Sequence, residues 1–260
     1  MARYERWNAI LELLAQEGRL SVEDAAASLR VSTATIRRDF DQLAEQQMLM
    51  RTRGGAVAQS VSYDLPLRYK TARDAKEKQR IALAAAELIA PGAVVGMNGG
   101  TTTSELARTL ATRADLNAGT VPPVTIVTNA LNIAGELAVR RHIKIVMTGG
   151  VARPQSYELI GPLVSGVIEQ VTLDLAFIGV NAINLRDGAA THHEGEAGVT
   201  AMMISRAARV VVVADASKVG ARAFARICPL SEIDVLVTDE RLPGEDAAAY
   251  EEAGVTVIRA

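Results

Sequence analysis

Two stretches of the 260-residue chain place reactive side chains at useful spacing. In Val31-Ser32-Thr33-Ala34-Thr35-Ile36-Arg37-Arg38-Asp39-Phe40, Ser32 stands where a helix would be capped. Ile36, Phe40 and Leu43 then fall at i, i+4 and i+7, one apolar face, leaving Thr33, Thr35, Arg37 and Arg38 toward the polar side. Short hydroxyls at a helix start can touch bases while the guanidiniums grip phosphates, so this pattern suits DNA. The second stretch, Asn98-Gly99-Gly100-Thr101-Thr102-Thr103-Ser104-Glu105, suits an anion. Glycine lets the backbone approach, hydroxyls donate, and a following helix offers free N–H groups and a positive dipole end. No Lys follows the glycines, so this is not a Walker loop.

Other polar residues stand at the ends of apolar runs. They are Thr128-Asn129, then Thr148-Gly149-Gly150 leading to Arg153 and Gln155, then His192 and Glu196 in one connection, and Lys218 after Asp215. Two runs that each end in Gly-Gly, with Thr128-Asn129 between them, point to one shared ligand site. Lys218 would neutralise a phosphate as a point charge. Asn98, Asn129, Gln155, His192 and Glu196 would supply the remaining polar contacts to such a ligand. His192-His193-Glu194 lacks the spacing of a His-Glu-x-x-His zinc helix, so no metal is expected, and no cofactor.

The elements that must position these residues are legible. Trp7, Ile10, Leu11 and Leu14 predict a helix over about Arg3–Glu17, ended by Gly18. Ser21 would cap a second helix with Val22, Ala25, Ala26 and Leu29 inward. Arg30-Val31 turns the chain into the Ser32 helix. Met48-Leu49-Met50 and Arg51-Thr52-Arg53-Gly54-Gly55-Ala56-Val57 read as a small hairpin carrying Arg51 and Arg53. Helix, helix, turn, polar-faced helix and hairpin is the winged helix-turn-helix order, here over residues 1–57. Residues 58–75, with Pro66 and no sustained period, read as a linker. From 76 to 260, strand candidates at 93–97, 124–128, 143–148, 173–178, 210–214, 235–238 and 255–258 alternate with helical patterns. Several are continuous apolar runs, which predicts a parallel α/β sheet covered on both faces. Such sheets bind ligands beyond the carboxyl ends of their strands, where the unusual residues cluster.

Composition bounds the reading. One cysteine, Cys228, excludes an internal disulfide and fits a reducing cytoplasm. The start of the chain lacks a signal-like apolar stretch, and no run of eighteen apolar residues predicts a membrane span. The formal net charge is −2, but Arg30 to Arg53 holds five Arg against Asp39, Asp41 and Glu45. That modest excess implies dimeric or higher binding to DNA.

The segments Leu20-Ser21-Val22-Glu23-Asp24-Ala25-Ala26, Val31 to Asp39 and Arg51-Thr52-Arg53-Gly54-Gly55-Ala56 resemble the N-terminal signature of DeoR-family repressors. Gly100-Thr101-Thr102-Thr103, Val127-Thr128-Asn129, Gly149-Gly150, Asp174 to Gly179 and Ala214 to Gly220 resemble the family's sensor domain. The resemblance implies a body similar in fold to ribose-5-phosphate isomerase and coenzyme A transferase relatives. It also implies a phosphorylated-sugar effector, a homo-oligomer (dimer or tetramer), and repression of a catabolic operon by binding double-stranded operator DNA. Met147 to Gly150, Arg153, Gln155-Ser156 and Thr191-His192 most resemble the N-acetylgalactosamine-operon branch. The family usually has Gly at Gln47, often His at Arg53 and commonly Asp at Asn98. The alternative is a sugar-phosphate isomerase with an accessory head, using Glu194, Glu196 or Asp215 as general base.

Overall fold

The helical spacing of Trp7, Ile10, Leu11 and Leu14 forms α1, Arg3–Glu17, in the computed structural model, which describes residues 3–45, 48–57, 74–116 and 122–260. Contacts divide the chain into two units, Met1–Arg73 and Asp74–Ala260. Gln47 and nearly all of the expected linker lie outside the described residues.

In the first unit, strand β1 (Arg19–Ser21) follows α1. The Ser21 hydroxyl accepts from the Asp24 N–H and so caps α2, Val22–Leu29. Arg30, in the left-handed region, ends α2. Helix α3, Thr33–Glu45, begins with the Ser32 hydroxyl accepting from the Thr35 N–H at 3.2 Å. Strands β2 (Met50–Thr52) and β3 (Gly55–Val57) form the hairpin, and β1 adds antiparallel to β3. This third strand carried no sequence signal, because three residues are too few to show alternation. Trp7, Ile10, Ile36, Phe40 and Leu43 share one buried core.

The second unit opens with α4, Ala75–Ala86. Its seven parallel strands are β4 (Val94–Met97), β5 (Val124–Thr128), β6 (Ile143–Met147), β9 (Leu175–Gly179), β12 (Val210–Val213), β14 (Val235–Thr238) and β15 (Thr256–Arg259). Their order is β15-β14-β12-β9-β4-β5-β6, so each expected strand is present within a residue or two. Helices α4, α5 (Thr101–Thr112) and α6 (Leu131–Leu137) pack Ile81, Leu106, Leu110 and Ile133 on one face. Met203 of α8 (Glu194–Ile204) and Tyr250 of α9 (Gly244–Glu252) pack on the other. A short helix α7, Ser165–Ile168, lies under α8 through Val199. Burial on both faces explains why Val210–Val213 is four valines with no polar alternation.

Two small antiparallel sheets were not foreseen. One is the hairpin of β7 (Val151–Arg153) and β8 (Glu158–Ile160). The other joins β10 (Ala182–Asn184), β11 (Gly188–Thr191) and β13 (Ala225–Cys228). The chain runs outward from β4 through β5 to β6, returns to β9 on the other side of β4, and continues to β15. The direction therefore reverses between β4 and β9, and the carboxyl ends of strands at such a reversal are where open α/β sheets carry their ligand crevice.

Candidate functional site

In the first unit, α3 turns Ile36, Asp39, Phe40 and Leu43 inward and leaves Thr33, Arg37 and Arg38 exposed. Asp39 is a charged residue inside this core. It accepts from two nitrogens of Arg6 and from Trp7 Nε1 at 2.8 Å, which sets the roll of α3 against α1. Arg37, Arg38 and Arg53 have no side-chain partner among the described residues. Thr35 differs, because its hydroxyl lies 2.8 Å from that of Ser32 and both serve the helix start. Arg51 also differs. It pairs with Asp41 at 2.8 Å, donates to Gly55 O and stacks over the Phe40 ring. Arg51 therefore holds the hairpin against α3, whereas the sequence offered it as a DNA contact beside Arg53.

In the second unit, the crevice between β4 and β9 opens onto the N-terminus of α5. Gly100 occupies the cap position without a side-chain cap bond, so the first N–H groups of α5 are left for an external acceptor. The Thr103 and Ser104 hydroxyls turn back to Gly100 O at 3.2 and 2.6 Å. Backbone N–H groups, more than these hydroxyls, are thus what the loop offers. Thr101 and Thr102 complete the first turn, Thr102 buried and Thr101 half-buried.

Several residues expected to meet a ligand make internal bonds that hold the strand ends. Asn98 is buried, and its amide donates to Gly179 O at 2.9 Å and accepts from Gly179 N–H at 2.8 Å. It ties β4 to β9, a role in which a carboxylate could not donate. The Thr128 hydroxyl donates to Met97 O at 2.6 Å and accepts from Ala130 N–H. Gly149 and Gly150, at φ +73 and +120, turn the chain from β6 into β7, and a Cβ on Gly150 would fall 2.9 Å from Ile160 O. Gln155 is exposed at the tip of the β7–β8 hairpin.

Others converge. Arg153 pairs with Glu196 at 3.2 Å, both largely buried. Thr191 Oγ1 lies 2.7 Å from Asn181 Oδ1 and 3.1 Å from Glu196 Oε2, and Asn181 also accepts from His192 N–H. Asn129 donates to Glu158 Oε1 and to Leu159 O, both at 3.2 Å. His193 Nδ1 accepts from Gly195 N–H as the cap of α8. The Lys218 ammonium has no side-chain partner among the described residues. Its strand, β12, lies one strand beyond β9, about 10 Å from β4 by the usual strand spacing.

Glu158 is the residue the sequence reading missed. It is buried on β8, and its Oε1 accepts from Gly99 N–H at 2.9 Å as well as from Asn129. Contact is so close that a Cβ on Gly99 would fall 2.4 Å from Glu158 Cγ. Burial, then the nearby Glu196, push its carboxyl up to about 7, against the Gly99, Asn129 and Arg153 contacts that favour ionisation. One signal was available: a Glu two residues after Ser156 and flanked by Tyr157 and Leu159 is unusual in a strand. Cys228 takes no part, since burial followed by Glu232 raises its thiol to about 11.

Comparison with known proteins gives two family matches. Residues 6–61 match the DeoR-like helix-turn-helix domain and residues 73–240 the DeoR C-terminal sensor domain. The chain belongs to the DeoR family. It is 37% identical to the HTH-type transcriptional regulator GlpR of Haloferax volcanii, over 98% of this chain and 96% of that protein. It is 35% identical, over 98% and 93%, to a protein of Escherichia coli O157:H7 named as an aga operon transcriptional repressor. The glycerol-3-phosphate regulon repressor of Escherichia coli K12 is 32% identical over 94% and 93%. Among solved structures, ribose 5-phosphate isomerase A of Methanocaldococcus jannaschii aligns with 56% of this chain and 55% of its own, at 17% identity and a TM-score of 0.42. As a DeoR-family member the chain is a DNA-binding transcriptional regulator, which decides against the isomerase alternative. Among the described residues no helix is long and apolar enough to cross a membrane.

Proposed function

We propose that this DeoR-family regulator represses a carbohydrate catabolic operon and leaves its operator when a phosphorylated sugar, an amino-sugar phosphate among the candidates, binds the second unit. The observation that carries this reading is the uncapped N-terminus of α5 at the reversal point of a parallel sheet. The phosphate meets the N–H groups of Thr101, Thr102 and Thr103, with Lys218 neutralising it. Arg153, Glu196 and His192 take the sugar hydroxyls. Asn98 and Thr128 keep the strand ends in register for them. The names of the relatives, which refer to the aga operon and the glycerol-3-phosphate regulon, agree with a small phosphorylated effector. On the DNA side, Thr33 meets base edges in the major groove, Arg37 and Arg38 grip phosphates and Arg53 reaches the backbone beside them, in a dimer or tetramer working in the cytoplasm. Effector and operator are coupled only if effector affinity differs between DNA-competent and incompetent states.

The test is thermal melting of the full chain against a panel of phosphorylated sugars, with binding to duplexes selected from a random library measured in parallel. A true effector at a hundredfold its dissociation constant adds about 2.7 kcal/mol of stability, and the same compound releases the selected duplex. Lys218→Ala keeps duplex binding and loses that release. If no phosphorylated sugar moves the melting curve, the effector reading fails.

A further inference from the structure

Among the described residues, the corner formed by the β7–β8 hairpin and the end of β4 sets two carboxylates against one guanidinium. Glu158 on β8 and Glu196 on α8 share one guanidinium, Arg153 on β7. The remaining groups on Glu158 are uncharged: the Gly99 N–H from the loop before α5 and the Asn129 amide from the end of β5. With both acids ionised, this corner carries a surplus negative charge bonded two residues before Thr101, the first of the N–H groups that an anionic ligand would use. Asn129 Oδ1, in the same corner, is buried without a partner. An acceptor left unsatisfied there is served by a group that can bring a proton.

We propose that Glu158 is the specificity-determining acid of this crevice: it takes a proton from solvent as an anionic ligand binds and holds the ligand as a neutral carboxyl. The inference rests on the crevice being the effector site argued above. Charge balance is the reason. A dianion brought beside an ionised, desolvated carboxylate is repelled, and protonation of Glu158 removes the repulsion without breaking its bonds to Gly99 and Asn129. The carboxyl is already raised from 4.5 to about 7, by burial and then by Glu196, so the proton is available near neutral pH. The sign follows from linkage. A carboxyl whose folded pKa lies above its unfolded value adds stability that is complete below the unfolded value and is lost as pH rises through about 7.

Sulfate is the probe, because it stays a dianion across the range where phosphate itself titrates. Titration calorimetry on the full chain should show saturable sulfate binding whose affinity falls about tenfold between pH 6 and pH 8, with proton uptake on binding, as expected if only the protonated form accepts the anion. Glu158→Gln keeps an oxygen facing Gly99 and Asn129 but cannot ionise. It should bind sulfate at pH 8 as tightly as the natural protein does at pH 6, with a flat profile, and its melting temperature should lose the decline across neutral pH. Glu196→Gln should keep the slope and move its midpoint to lower pH, since a like charge is gone. A natural protein whose sulfate affinity is flat with pH, or a Glu158→Gln variant that copies its slope, overturns the role of Glu158 and leaves the anion crevice standing. Failure of all three proteins to bind sulfate at about 100 mM overturns the crevice itself.

Discussion

The two units treat their polar residues in opposite ways. In the first, the buried charge is fully paired behind the working surface, and the working surface is bare: Asp39 is held by Arg6 and Trp7, while Arg37, Arg38 and Arg53 have no partner among the described residues. In the second, the candidate ligand residues are bonded to one another, Glu158 to Asn129 and Gly99, Arg153 to Glu196, Asn181 to Thr191. A surface that reads a stiff external polymer gains from being preorganised, since no internal bond must be broken to use it. A crevice that must report occupancy gains from such internal bonds around its open anion end, since a ligand that reaches past the free N–H groups of α5 must exchange partners with these side chains. That exchange is what gives a ligand different affinities for two states.

The sharpest way to break the contrast is Asp39→Ala. It strands the half-buried Arg6 guanidinium and the buried Trp7 N–H, and leaving such donors unsatisfied costs about 3 kcal/mol. Calorimetry should show the first unit's transition collapsing and duplex binding lost, with the second unit's transition unmoved. A second unit that destabilises equally would mean the two do not melt independently. Next in size is Gly99→Ala, whose Cβ collides with Glu158. Overpacking of this kind costs about 1–3 kcal/mol, here in the second unit, and duplex affinity without effector should stay unchanged. The smallest effect separates two arginines of the hairpin. Arg51→Ala, losing Asp41 and the Phe40 ring, should lower first-unit stability by about 0.5–1 kcal/mol. Arg53→Ala should leave melting alone and reduce the salt slope of duplex binding by about one. Equal behaviour of the two variants would remove the distinction.

The fold was legible wherever burial imposed a repeating pattern. The seven valine- and isoleucine-rich runs of the sheet and the helical stripes of α1 to α3 declare themselves, because each buries a face of predictable period. The hairpin β7–β8 and the β10–β11–β13 sheet do not, since strands of three or four residues are fixed by the partners they meet. The site divides along the same line. Loops flagged by residue type, such as Gly99 to Thr103, stand where the strand order places them, between β4 and α5. The use of each side chain was not, because it depends on contacts across long separations: Asn98 with Gly179, Thr128 with Met97, Glu158 with Gly99. Arg51 shows the same limit in the first unit. Its type suggests DNA, and only its neighbours Asp41 and Phe40 reveal a brace.

The reversal between β4 and β9 also bears on how the chain is made. Every described strand pair of the first unit is closed by residue Val57, so its small sheet can form early in translation. The second unit cannot close its central pair until β9 emerges, some 80 residues after β4. Loop closure across that distance is slow, and N-terminal units fold first on the ribosome. For that interval the ribosome carries a head whose sheet can already pair, joined to a sensor domain whose central strands cannot.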